Sequence, residues 1–401
     1  MRPTVMPLPV RAEQSAMVRR AGHLLRPFWV VPTAWCALAV ATGLVLPDLE
    51  SAWSVTERPL FFTGGADGAR TVLSTISGAM ISVTGLVFSI TMVVLQLASS
   101  QYTPRVLQTF LADRITQHTL GLFAASFLYA LAVLRSIRDG DRQPELAITL
   151  AFVLVLAAVG IFLAYIHHIT TSIGVASILQ RTAQQSRDLL AAGQASAWPT
   201  VAPDLQEPHG DSRVLVAPRS GYVDAVDTAA LVRLAHRHDV RVELLHPLGA
   251  FVADGSPLLS LHGLSTTDDG LPDAALQLVS VVGERTMDQD LGYGIRRLVD
   301  IAERALSPGI NDPTTAVQVL DQLHDLLRRM VTAPAAWPVR TDEEGTVRLV
   351  LRQPTIADVV ELALADIAHW GEDHRRVRER IAGIMDDLRA AARDEHRAGL
   401  G

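Results

Sequence analysis

An uncharged run of 34 residues between Arg70 and Arg105 constrains this chain more than any other feature. A helix needs about 20 apolar residues to cross a bilayer, so the run predicts a membrane helix with turns to spare. Within it, small and polar residues recur at four- and three-residue steps: Thr71, Thr75, Gly78, Ser82, Gly85, Ser89, Met92, Gln96, Ser99 and Thr103. Residues spaced in this way share one side of a helix. The opposite side carries Leu73, Ile76, Met80, Val83, Val87, Ile90, Val94 and Leu97 and is expected to suit lipid. The stripe instead offers hydroxyls and bare backbone to a neighbouring helix, a second copy of the chain, or water.

Three further stretches with few or no charges accompany it, predicting spans at about 28–46, 117–135 and 146–168 beside the striped one at 70–103. Pro32 falls in the first turn of the first span, where proline is tolerated. Four spans put both ends on one side. Residues 1–27 carry Arg2, Arg11, Arg19, Arg20 and Arg26 and are expected to form a cytoplasmic tail, since arginine-rich flanks stay inside. The spans make residues 28–168 a transmembrane domain. The fourth helix keeps its apolar spacing past His167 and His168, predicting a helical connector and a Pro-bearing linker over 169–209. The two histidines end the span where amphipathic rings sit at the interface, with pH sensing as the alternative.

Composition removes whole chemistries. The basic residues are 35 arginines and no lysine, so the P-loop lysine, Schiff-base lysines and biotinyl or lipoyl attachment are all excluded. Cys36 is the single cysteine, which excludes disulfides and cysteine-based zinc sites within one chain. Residues 180–401 hold 23 Arg against 33 Asp and Glu, whereas residues 1–179 hold 12 against 9. An acidic soluble half argues against nucleic acid and would gather inorganic cations. No HExxH, GxSxG or phosphate-loop pattern occurs. His369, Asp373 and His374, and likewise His236 and His238, read as solvated helix faces rather than metal ligands. No catalytic residue, cofactor or metal site is therefore expected.

Beyond the spans, residues 210–263 read as a small β-rich domain and 271–401 as mainly helical. Val214–Val216, Val240–Leu244 and Pro257–Leu261 are expected strands, with a helix over Ala229–His236 between them and a strand pair near Arg340 and Thr346–Arg352. The Gly221-Tyr-Val and Gly249-Ala-Phe-Val-Ala-Asp-Gly255 segments resemble the turn pattern of lipoyl and biotinyl carrier domains. Without lysine the scaffold cannot carry their cofactor. Leu291–Leu306 is amphipathic, and Ser307-Pro-Gly-Ile-Asn-Asp-Pro-Thr-Thr-Ala316 then reads as a helix stop followed by a new start, with Asp312 as cap and Pro313 in the first turn. Thr355 and Asp358 stand in capping-box relation at another start. The alternative for the corner is a ligand loop of Ser307, Asn311, Asp312 and Thr315, with Arg285, Asp288 and Asp290 completing it.

Two segments, Phe88–Arg105 and Ile301–Ala316, resemble signatures of a bacterial family of predicted multi-pass membrane proteins with a domain of unknown function. The resemblance implies four membrane helices followed by a cytoplasmic domain, in a bacterial inner membrane, and implies no activity. The expected fold is thus a four-helix membrane domain plus a cytoplasmic α+β domain with a β-sandwich-like part and a helical part. The expected function is an oligomeric, cation-conducting channel in contact with membrane lipid. Its pore would be lined by Thr75, Gly78, Ser82, Gly85, Ser89, Met92, Gln96 and Ser99 of the second helix, with the cytoplasmic domain gating or assembling it. The alternative is a membrane-anchored sensor or scaffold whose soluble domain binds a ligand or partner.

Overall fold

The computed structural model describes residues 28–52, 62, 64–101, 113–138, 143–172, 174–194, 211–264, 270–335 and 337–400. The 1–27 tail, the 195–210 part of the linker and the Tyr102–Arg105 end of the first signature lie outside them. The chain divides between Gly174 and Val175 into a membrane unit and a soluble unit.

The membrane unit contains α1 (Val30–Ala52), α2 (Ala66–Gln101), α3 (Arg114–Leu134) and α4 (Glu145–Ser172). All four are long and apolar enough to cross a bilayer. α3 sits at the centre, with α1, α2 and α4 packed on it. Its Phe123, Ala125, Tyr129, Ala130 and Val133 are fully buried. Membrane helices gain little from hydrophobicity alone and rely on close backbone approach. Gly43 of α1 supplies that, since an added Cβ would lie 2.7 Å from the Cβ of Ala132. Gly121 of α3 does the same beneath Trp35.

Several polar groups inside the unit are paired. The Tyr129 hydroxyl donates to the Ala147 carbonyl at 2.9 Å, and Thr91 of α2 bonds Tyr165 of α4 through their hydroxyls. Glu50 accepts from the Leu146 and Ala147 amides at 2.8 and 3.3 Å, satisfying donors that the start of α4 leaves free.

The apolar side of α2 does not face lipid. Leu73, Met80 and Val87 are buried in the unit's two apolar clusters, and Ile76 and Val83 pack partly against them. Intramolecular packing takes that side because it is the only continuous apolar face α2 can offer to α3 and α4. Ile90 is exposed, and the side chains of Val94 and Leu97 lie outside the described residues.

The connector is also corrected. α4 ends at Ser172 and a separate helix, α5 (Val175–Gln194), begins after Gly174. α5 belongs to the soluble unit, where it buries Leu179, Ala183, Ser186 and Leu190.

The soluble unit is α+β. Strands β1 (Asp211–Val216), β5 (Pro257–Leu264), β3 (Arg241–Leu244), β8 (Val347–Val350) and β7 (Val339–Thr341) form one sheet in that spatial order. β3 and β8 run parallel, and the other neighbours antiparallel. A second sheet is β4 (Phe251–Val252), β2 (Gly221–Val226) and β6 (Val279–Val282). One core joins them, with Leu215, Val223, Val242, Leu259, Val281 and Leu349 beneath α6 (Thr228–Arg237) and α7 (Leu271–Gln277). The β-rich region therefore does not stop at residue 263. It draws β6 from the stretch expected to be mainly helical, and the strand pair expected near Arg340 and Thr346–Arg352 joins the same sheet system as β7 and β8, because β8 supplies the apolar neighbour that β3 needs.

The helical layer comprises α5, α8 (Leu291–Leu306), α9 (Pro313–Thr332), α10 (Ile356–Trp370) and α11 (Arg375–Ala391). α8 contacts α5, α9 and α10. Gly294 admits α5, since a Cβ there would lie 2.4 Å from Ser186 Oγ. The Thr355–Asp358 capping box forms at the start of α10.

Because α1 and α3 meet backbone to backbone, Gly43→Leu is expected to cost about 1–3 kcal/mol through overpacking. Gly78→Leu, on open surface, should leave the unfolding midpoint of the detergent-solubilised protein unchanged. Equal midpoints for both variants would contradict this packing.

Candidate functional site

The striped side of α2 lies on the surface of the membrane unit. Thr75, Gly78, Ser82, Gly85, Ser89, Met92 and Gln96 are all exposed, while the side chain of Ser99 lies outside the described residues. Nothing stands within 4 Å of a Cβ added at Gly78 or Gly85. None of these described positions is buried against the rest of the unit. Packing falls to the opposite side, where Ser77 and Thr91 are buried beside Leu73, Met80 and Val87. The Thr75 and Ser82 hydroxyls donate to the carbonyls of Thr71 and Gly78 one turn back, at 2.7 and 2.9 Å. Ile81, Leu86, Phe88 and Val93 are exposed beside the stripe. The result is a shallow polar track with apolar banks, on a helix of 36 residues.

The Ser307–Thr315 segment is a tight corner between α8 and α9. Ser307 Oγ donates to the Arg304 carbonyl at 2.7 Å, and the Asn311 amide returns to the Ser307 carbonyl at 2.9 Å. Asn311 adopts φ +53°, a left-handed conformation that asparagine tolerates better than most residues. Asp312 caps α9, accepting from the Thr314 and Thr315 amides at 3.0 and 3.1 Å and from Thr315 Oγ1 at 2.6 Å. Those bonds, first from the Thr315 hydroxyl and then from its amide, hold the carboxylate below its usual range. The oxygens of Asp312 are thus engaged by the turn itself.

Arg285, Asp288 and Asp290 do not complete that loop. Asp290 caps the start of α8 through the Tyr293 amide at 2.8 Å, and the loop follows its far end, about 24 Å away for 16 residues. Their actual neighbours lie in the β-rich part. Arg285 binds Asp290 Oδ2 through Nε and Nη2 at 3.0 and 2.7 Å and lies over the Tyr293 ring. Thr286 donates to buried Asp224 of β2 at 2.6 Å, and Gln289 accepts from the Val226 amide at 3.0 Å. Gly249, at φ +78°, abuts the Arg285–Asp290 pair so closely that a Cβ would fall 2.2 Å from Asp290 Oδ2. Residues 285–290 are a clasp between sheet and helices. Their closeness in sequence to a helix start, with Asp and Gln mixed among Arg and Thr, was the signal available.

Among the described residues, His236, Asp342 and Glu344 bring one donor atom each within 4.8 Å of one another. Asp342 is already occupied, by Arg348 Nε at 2.6 Å, His236 Nδ1 at 3.0 Å and the Thr346 amide at 2.9 Å. Burial opposes its charge, but the bonds from Arg348 and His236 outweigh it and bring the carboxyl down to about 2. This group closes the β7–β8 hairpin.

The architecture defines an integral membrane protein with four helices long and apolar enough to span a bilayer, followed by an α+β unit. The model for the family described as "Predicted membrane protein (DUF2254)" matches residues 26–387, and the chain belongs to that family. An uncharacterized protein of Mycobacterium bovis is 33% identical over 385 residues, covering 93% of this chain and 73% of the relative. Uncharacterized proteins of two Mycobacterium tuberculosis strains match to the same extent. No solved structure matches the chain.

Gly249→Ala is expected to lose at least about 2 kcal/mol, from left-handed strain and the disturbed ion pair, as read by denaturant unfolding. The Asp342 carboxyl is depressed on folding, so its contribution is complete above the unfolded value near about 4 and is lost as pH falls towards 2. The stability gap between wild type and Asp342→Asn should therefore close on acidification. A gap that stays constant to the lowest pH would refute the assignment.

Proposed function

We propose that copies of this chain assemble about an axis with the α2 stripe turned inward, forming a channel through which cations pass. One observation carries the reading. The stripe is exposed while the apolar side of the same helix is spent on internal packing. In a symmetric ring each copy contributes the same face, and Thr75, Ser82 and Ser89 hydroxyls with the open backbone of Gly78 and Gly85 wet the path. Met92 narrows it, with Gln96 and Ser99 beyond. The stripe carries no charge, so selection rests on width, hydroxyl dipoles and the acidic soluble half, which gathers cations. Both termini are cytoplasmic, the membrane is a bacterial inner membrane, and the soluble unit assembles or gates the ring.

A second reading is favoured by the Thr75 and Ser82 hydroxyls, which bond their own helix and need no water. In it the stripe is a dry contact between copies, and the protein is an anchored sensor or scaffold whose soluble unit binds a ligand or partner.

Reconstituted wild type is expected to pass monovalent cations across liposomes. Ser89→Leu should abolish that flux with the oligomer unchanged on cross-linking. Absence of flux from the wild type at every voltage, tension and pH would remove the channel reading and leave the second.

A further inference from the structure

At one end of the membrane unit two histidine contacts make opposite demands on the proton. Asp113 caps α3, accepting from the Ile115 and Thr116 amides at 3.4 and 3.3 Å and from Thr116 Oγ1 at 2.8 Å. Its Oδ2 also meets Nε2 of His168, on α4, at 2.9 Å. Both side chains are more than three-quarters covered, at 19% and 23% exposure. Protonating this imidazole turns its hydrogen bond to the carboxylate into a hydrogen-bonded ion pair and ties α4 more firmly to α3.

His118, five residues further along α3, makes the reverse contact. Trp35 Nε1 of α1 reaches His118 Nδ1 at 3.0 Å, with the rings edge-on at 85°. An indole N–H can only donate, so Nδ1 must hold a lone pair, and an imidazolium has none. Protonation therefore sets two N–H groups against each other and breaks the contact. The Trp35 ring lies directly over Gly121, so this bond fixes a side chain on which the α1–α3 packing depends. Titratable and charged groups beside the two histidines include Asp113 and Arg114 on α3, His167 and Tyr165 on α4, and Cys36, next to Trp35, on α1. From α2, Thr91 bonds Tyr165.

We propose that this end of the membrane unit is a proton-operated clasp. Acid tightens α4 on α3 through His168–Asp113 and releases α1 from α3 at Trp35–His118, so that one stimulus moves the grip of the central helix from one neighbour to another. The inference stands on these two contacts and is independent of any pore.

The indole N–H resonance of Trp35, assigned by its loss in Trp35→Phe, tests this on the full chain in detergent micelles. Between about pH 8 and about pH 5.5 it is expected to move upfield as its acceptor is lost. In His118→Gln, which offers an acceptor that gains no proton, it should stay fixed. A wild-type resonance that does not move, or an equal movement in His118→Gln, overturns the α1 half. For the α4 half, the loss of thermal stability in His168→Gln should be larger at about pH 6 than at about pH 8. An equal loss at both overturns it.

Discussion

A helix that buries most of its circumference leaves each neighbour one face to bury, and α3 imposes that constraint on the membrane unit. Tyr129, Ala130 and Val133 are enclosed, so α1, α2 and α4 must each turn their best packing side inward. For α1 that side contains Gly43, which lets two backbones approach, and Trp35, which packs on Gly121 of α3. For α2 it is the row of Leu73, Met80 and Val87. The stripe follows as the remainder, and its eight positions with described side chains, Thr71 to Gln96, are all exposed on the unit's surface. The polar ties at the helix ends, Glu50 on the start of α4 and Asp113 between α3 and α4, fix the bundle without placing a charge in its middle.

The soluble unit depends in a similar way on α8. Its start is gripped by the 285–290 clasp, which reaches Asp224 and Val226 of β2 and closes over Gly249. Its flank takes α5 at Gly294. Its end turns through the Asp312 corner into α9. Arg296, midway, binds Asp300 and Glu303 on its own helix and Asp366 on α10. Sheet, connector helix and helical layer are joined through one element.

Several features were legible in the residues themselves. Four spans follow from run length, α8 from its apolar period, and the starts of α9 and α10 from Asp312-Pro313 and Thr355–Asp358. Strand β2 was not, because Gly221–Val226 is buried on both faces, carries Asp224, and so lacks the alternation that marks a half-buried strand. β4 has two residues, too few for any period. For the stripe, periodicity separated two sides of α2 but could not say which one meets protein, since an apolar row suits lipid and a neighbouring helix alike. Assigning Arg285 and Asp290 to the Ser307 loop failed for a related reason. A helix lies between them, and chain proximity says nothing about which end a side chain reaches.

The central claim is that the α2 stripe faces water between copies of the chain. Cys36 is the single cysteine, so Cys36→Ala gives a background in which one thiol at a time can be placed along α2. Modification by a charged, membrane-impermeant thiol reagent in intact membranes is the direct measurement. Ser82→Cys, Gly85→Cys and Ser89→Cys are predicted to react, while Ile81→Cys and Leu86→Cys on the banks are not. Protection of all three stripe positions, with reaction only to lipid-soluble reagents or with none, would contradict the account.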